Sequence, residues 1–94
     1  MILSFRRRAL QRYWLKGDPS KLRPDWIKRV GIILSALDQA PAPDALDLPG
    51  LGFHALTGVH AGRFAVGVSR NWRITFAFLS EDAIEVDLED YHGR

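Results

Sequence analysis

A chain of 94 residues with 47% hydrophobic content has room for one domain around one core, residues 1–94, and excludes a second. It has no cysteine, which excludes a disulfide framework, a thiolate metal site and a cysteine nucleophile, and fits a reducing compartment. The formal charge of +2 is unevenly spread: residues 1–31 hold nine Lys/Arg against Asp18 and Asp25, residues 32–62 hold three acids and no base, and residues 63–94 hold four bases against six acids.

The apolar start, residues 2–5, is followed at once by Arg6, Arg7 and Arg8 and is too brief for the apolar region of a secretory signal. No run approaches the ~20 apolar residues of a membrane span, so the expected setting is cytoplasmic, without membrane contact. Residues 2–5 are themselves a candidate strand. Over residues 7–16, Ala9, Leu10, Tyr13 and Trp14 recur at helical spacing. Arg7, Arg8, Gln11 and Arg12 fall largely on the other side, and Gly17 supplies a stop, so the pattern predicts a short amphipathic helix with a basic face. Pro24 and Asp25 suit the first turn of a second helix. Its stripe is Trp26, Ile27, Val30, Ile33, Leu34 and Leu37, and it should end before Pro41.

The connector at residues 40–52 holds three of the five prolines and is expected to be ordered, with about one helical turn. Strands are predicted at residues 53–56, 63–69, 72–79 and 83–89, with turns at Gly58, Gly62, Arg70-Asn71 and Ser80-Glu81-Asp82. Trp72, Ile74, Phe76 and Phe78 alternate with Arg73, Thr75 and Ala77; Ile84, Val86 and Leu88 alternate with Glu85, Asp87 and Glu89. The fold class that follows is α+β, two N-terminal helices packed on one face of a small, mainly antiparallel sheet.

Past the last predicted strand an acid, a phenol and an imidazole stand side by side at Asp90, Tyr91 and His92, and Arg73 projects from the polar side of a neighbouring strand. Such groups are what metal-free cleavage of a phosphodiester needs. The histidines, His54, His60 and His92, form no H-x-x-x-H or H-E-x-x-H unit, and Asp87, Glu89 and Asp90 alternate or adjoin, so neither a metal nor another cofactor is expected. No G-x-S-x-G elbow occurs. His60 lies in a glycine-flanked turn and is given no role. Tyr13, Trp14, Trp26, Trp72, Phe76 and Phe78 all lie on apolar stripes and read as core.

Three segments, in order and with their spacing, carry a resemblance: Leu48-Pro49-Gly50 followed by Phe53-His54-Ala55-Leu56, then Val68-Ser69-Arg70-Asn71-Trp72-Arg73-Ile74-Thr75-Phe76, then Val86-Asp87-Leu88-Glu89-Asp90-Tyr91-His92. On them the chain resembles the HigB group of RelE-superfamily toxins over nearly its whole length. The resemblance implies a RelE-like fold and the toxin of a type II toxin–antitoxin pair, which in this group cleaves mRNA on the ribosome and is neutralised by a helix-turn-helix antitoxin of the HigA type. It also implies oligomers formed only through that antitoxin. Carried over by position, the implied active-site residues are His54, Arg73, Asp90, Tyr91 and His92. Two positions depart from the family pattern. Thr57 stands where the family commonly has lysine, and Arg70 stands where it usually has glycine.

For RNA cleavage by attack of a 2′-OH on the adjacent phosphorus, the reaction needs a proton acceptor, a donor for the departing 5′ oxygen and positive charge at the transition state. Histidine, with a reference pKa near ~6.5, suits the proton roles, and the arginine fork suits phosphate oxygens. Arg73 is accordingly assigned to transition-state charge, His92 to proton transfer, and Tyr91 to phosphate contact or base stacking. Asp90 and His54 orient partners or share the base role, and the division into acid and base stays open. Arg6, Arg7, Arg8, Arg12 and Arg70 are the expected contacts to RNA or ribosome; a solvated helix face, or pairing with an acidic antitoxin, is the alternative for the helical four. Two other functions remain open: a non-enzymatic toxin or binding module on the same fold, like the ParE relatives that act on gyrase, and an inactive antitoxin-binding relative.

Overall fold

The computed structural model describes residues 1–90. Its regular elements are α1 (Arg8–Lys16), α2 (Ile27–Gln39), β1 (His54–Ala55), β2 (Phe64–Gly67), β3 (Trp72–Leu79) and β4 (Asp82–Asp90), with short 3-10 turns at Pro24–Trp26, Pro43–Leu46 and Gly58–His60. The strands form one antiparallel sheet in the order β1-β2-β3-β4. This is the predicted α+β arrangement. β1 is shorter than the predicted strand at residues 53–56, and β2 begins one residue late and ends two residues early relative to 63–69.

Both helices present their apolar stripes to one side of the sheet, here called the inner face. Val30, Ile33, Leu34 and Leu37 of α2 are fully buried against Val66, Ile74, Phe76 and Val86, with Leu10 of α1 in the same cluster. Each such side chain contributes about 1.5–3 kcal/mol on removal from water. An aromatic row crosses this face from Phe53 through Phe64 and Phe76 to Phe78, with centroid separations of 5.9, 6.0 and 6.1 Å. Trp26, on the turn entering α2, lies 5.3 Å from Trp72 at the start of β3, so both belong to the packed interior. Gly17 ends α1 in the left-handed conformation (φ 66) and donates its amide to Tyr13. α2 stops where Ala40 turns extended ahead of Pro41, as the residue before proline must.

Two expectations need correction. Residues 2–5 do not form a strand of the ladder; they run parallel beside β4 and touch it at two isolated bridges, Ile2 with Ala83 and Phe5 with Val86. The alternation expected through Ile84, Val86 and Leu88 is also broken. Glu85 takes a positive φ of 52 at a bulge opposite the Thr75–Ala77 segment, so Ala83 is buried and Ile84 only partly so. The bulge turns the Glu85 amide out of the ladder, and the Ser4 hydroxyl accepts it at 2.8 Å. Both departures have one cause, because the bulge interrupts the continuous pairing that residues 2–5 would otherwise make.

Candidate active site

On the outer face of the sheet the register sets which side chains share a row, since directly paired residues point to the same side. Phe53 stacks on Phe64 within the inner aromatic row, so the next residue, His54, faces outward. His54 pairs with Ala65, Ala65 with Thr75 and Thr75 with Asp87; the next outer row runs Gly67, Arg73, Glu89. His54 and Arg73 therefore share the outer face, with α-carbons two strand spacings across and two residues along, about 12 Å apart. Asp90 does not share it. It pairs with Trp72 and occupies an inner-face register position at the end of β4, beside the Arg73–Glu89 pair. Tyr91 and His92 lie outside the described residues.

The imidazole of His54 is exposed, with Nδ1 3.0 Å from the Gly52 carbonyl. A carbonyl can only accept, so Nδ1 donates the proton, and in the neutral ring it is Nε2 that holds the lone pair. That is the form a general base requires. The Arg73 side chain is only 13% exposed and lies 3.9 Å from Glu89 Oε1. The register brings Glu89, rather than Glu85 or Asp87, directly opposite Arg73, with the bulge lying between Glu85 and this end of the hairpin.

Beneath these residues lies a buried polar chain that the sequence reading missed. Arg63, 8% exposed, donates to the Thr75 hydroxyl at 2.9 Å and to the Glu85 carbonyl at 2.8 Å; Thr75, fully buried, donates to Glu89 Oε2 at 2.7 Å. Burial, then the nearby Arg6 charge, pushes the Arg63 pKa down, and Glu89, Glu85 and Asp87 oppose that shift. The available signal was that Arg63 is two residues from Ala65 and so lies on the outward side of β2, facing the acids of the hairpin.

The basic N-terminal residues divide. Arg6 pairs with Glu85 at 2.8 Å, Arg7 with Asp87 at 3.3 Å and with the Leu88 carbonyl, and Arg12 with Asp18 at 2.7 Å. Among the described residues, Arg8 and Arg70 form no ion pair or side-chain hydrogen bond. Arg8 lines a shallow groove on the exposed side of α1 with Gln11, Arg12, Leu15 and Lys16. Arg70 lies in the β2–β3 turn, at the same end of the sheet as Arg73 and Asp90. Thr57 is exposed just before the 3-10 turn that follows β1. Among the described residues, His, Cys, Asp and Glu side chains nowhere gather into a group of three or more that could hold a metal ion, and no helix is long and apolar enough to cross a membrane.

The model of a family described as the RelE-like toxin of the type II toxin–antitoxin system HigB matches residues 3–92. A curated relative, the Endoribonuclease HigB of Proteus vulgaris, is 35% identical over 92 residues, covering 98% of this chain and 100% of the relative. Matched along almost its entire length by both, the chain belongs to the HigB-like family of RelE-like toxins of type II toxin–antitoxin systems.

Proposed function

We propose that this toxin is an endoribonuclease that cuts mRNA on the ribosome without a metal and so blocks translation, and that a helix-turn-helix antitoxin of the HigA type holds it inactive. The observation that carries the reading is the full-length similarity to a relative named as an endoribonuclease. The outer sheet face supports it further, since an imidazole with an available Nε2 and an arginine lie on one surface.

In this mechanism a base withdraws the 2′-OH proton as that oxygen attacks phosphorus, and the bond to the 5′ oxygen breaks as an acid protonates it. The products are a 2′,3′-cyclic phosphate and a free 5′-OH, so protons and bonds balance within the RNA and two side chains. Arg73 neutralises charge developing on the phosphoryl oxygens. Its ion pair with Glu89 keeps the guanidinium in place before substrate arrives. His54 and His92 are the proton-transfer groups, with Asp90 and Tyr91 orienting partners or contacting phosphate. Arg6, Arg7, Arg8, Arg12 and Arg70 contact RNA or ribosome.

Mapping 5′ ends on mRNA in a reconstituted translation system tests this reading. Cuts made by the intact chain on translating ribosomes, absent from ribosome-free RNA and with His92→Ala, are expected. Intact mRNA in the presence of folded protein would overturn it. Thr57 in the family's lysine position favours a second reading, a non-enzymatic toxin acting on gyrase; gyrase inhibition that persists in His92→Ala would establish that reading instead.

A further inference from the structure

Arg29 lies on α2 and has been given no chemical role above, yet its guanidinium joins two backbone segments that carry the site. Its Nε donates to the Gly67 carbonyl at 2.8 Å and its Nη2 to the Gly50 carbonyl at 2.7 Å. Gly67 is the β2 residue paired with Arg73. Gly50 begins the loop that turns into β1, and two residues later the Gly52 carbonyl accepts from His54 Nδ1. Gly50 and Gly52 both have positive φ, 85 and 64, a conformation with little intrinsic preference to persist by itself. One further bond, from the Gly67 amide to the Leu51 carbonyl at 2.8 Å, closes the loop onto β2 between the two carbonyls that Arg29 holds.

We infer that Arg29 is a positioning residue: by clamping the Gly50 and Gly67 carbonyls it holds the 50–52 loop against the end of β2, and thereby sets the tautomer and direction of the His54 imidazole relative to Arg73. Both contacts are to backbone carbonyls, and the planar fork spans them from one side chain. Lysine has a single nitrogen at its tip and cannot reproduce that two-nitrogen geometry. The inference rests on the proposed ribonuclease site for its consequence in activity, while the geometric claim stands apart from it.

The first readout is the pair of His54 ring nitrogen shifts, measured by 15N correlation spectroscopy on the full chain at a pH where the ring is neutral. The wild type should show the Nδ1–H form. In folded Arg29→Ala that signature should be lost, with the two nitrogen shifts moving together as the tautomers interconvert. An unchanged Nδ1–H pattern in folded Arg29→Ala overturns the inference. Should Arg29→Ala fail to fold, Arg29→Lys is the variant to read: loss of the signature supports the clamp, and its retention overturns it. Activity gives a second, separable readout. On ribosome-bound mRNA, kcat should fall about 10- to 100-fold with KM little changed, as expected when a reacting group is misplaced but the binding surface is intact. A tautomer change in a protein that never cut RNA would leave the clamp standing and remove the ribonuclease reading; robust cutting with an unmoved tautomer would do the reverse.

Discussion

At the level of single residues, His54 and Arg73 share a surface but differ in what their loss should cost. His54 is exposed, and among the described residues its ring hydrogen-bonds to a neighbouring loop carbonyl. His54→Ala should therefore leave thermal stability within about 0.5 kcal/mol of wild type, while cleavage falls about 10²- to 10⁴-fold if the ring transfers a proton. Arg73 is largely buried and ion-paired with Glu89, which the buried Thr75 also holds. Arg73→Ala should lower stability by roughly 1–3 kcal/mol as well as abolish cleavage, and urea melts run beside cleavage assays separate the two losses. Asp18 offers a test in pH. The Ser20 amide, the Ser20 hydroxyl and the Arg12 guanidinium hold its carboxyl far below the ordinary range. A depressed folded-state value means that its stabilising contribution is complete above the unfolded value near ~3.9 and fades only as pH falls through the lower folded value. By carboxyl 13C shift Asp18 should still be ionised near about pH 3, where an unperturbed aspartate is mostly protonated.

Among the elements, the β3–β4 hairpin does most to define the site, because its register chooses the acid beside each base. Thr75 is the joint: its hydroxyl accepts from Arg63 and donates to Glu89 at a fully buried position. Thr75→Val keeps shape and strand preference but removes both bonds. It should destabilise by roughly 2–3 kcal/mol, because a buried guanidinium and a carboxylate each lose a partner. Arg73 would also lose part of its support through Glu89, so cleavage should fall more than the change in folded fraction explains. A valine variant as stable as wild type would show that the polar chain contributes nothing net. Helix α1 is constrained from the same hairpin. It starts without a side-chain cap and with arginines at its positive end, an arrangement the helix dipole disfavours, and the acids Glu85 and Asp87 of β4 offset that charge through Arg6 and Arg7.

Over the whole molecule part of the N-terminal positive charge is spent on the protein's own acids, since Arg6, Arg7, Arg12 and Arg23 pair with carboxylates, leaving a smaller free surface than the linear sequence suggests. Arg8, on the exposed side of α1, and Arg70, in the β2–β3 turn, keep their charge available; Arg6, Arg7 and Arg12 share theirs with Glu85, Asp87 and Asp18. If the basic residues meet RNA phosphates, Arg8→Ala should weaken binding and lower the slope of log affinity against log salt by about one. Arg6→Ala should change that slope less, since Glu85 already neutralises the Arg6 charge and leaves it less free to displace counterions from a phosphate. Filter binding of RNA across a salt series distinguishes them, and equal slopes for both variants would contradict the division.

Much of the architecture was legible because it depends on local periodicity. The α2 stripe from Val30 to Leu37, the β3 alternation from Trp72 to Phe78, the Gly17 stop and the Pro41 boundary each follow from pattern and backbone preference within a few residues. The resemblance carried by the three quoted segments also identified the family. Other features required the fold. A positive φ at Glu85 is not signalled by glutamate, yet it shifts the faces of β4 and leaves residues 2–5 with isolated bridges. Residues Arg63, Thr75 and Glu89 are separated by 12 and 14 positions and become one buried chain only when three strands fall into register. The Arg29 clamp reaches 21 and 38 positions along the chain. Composition and spacing determined which residue types and elements this protein has; only tertiary structure decided which charges neutralise one another and which side chains share a surface, because ion pairing and facing depend on distances between segments that no local pattern encodes.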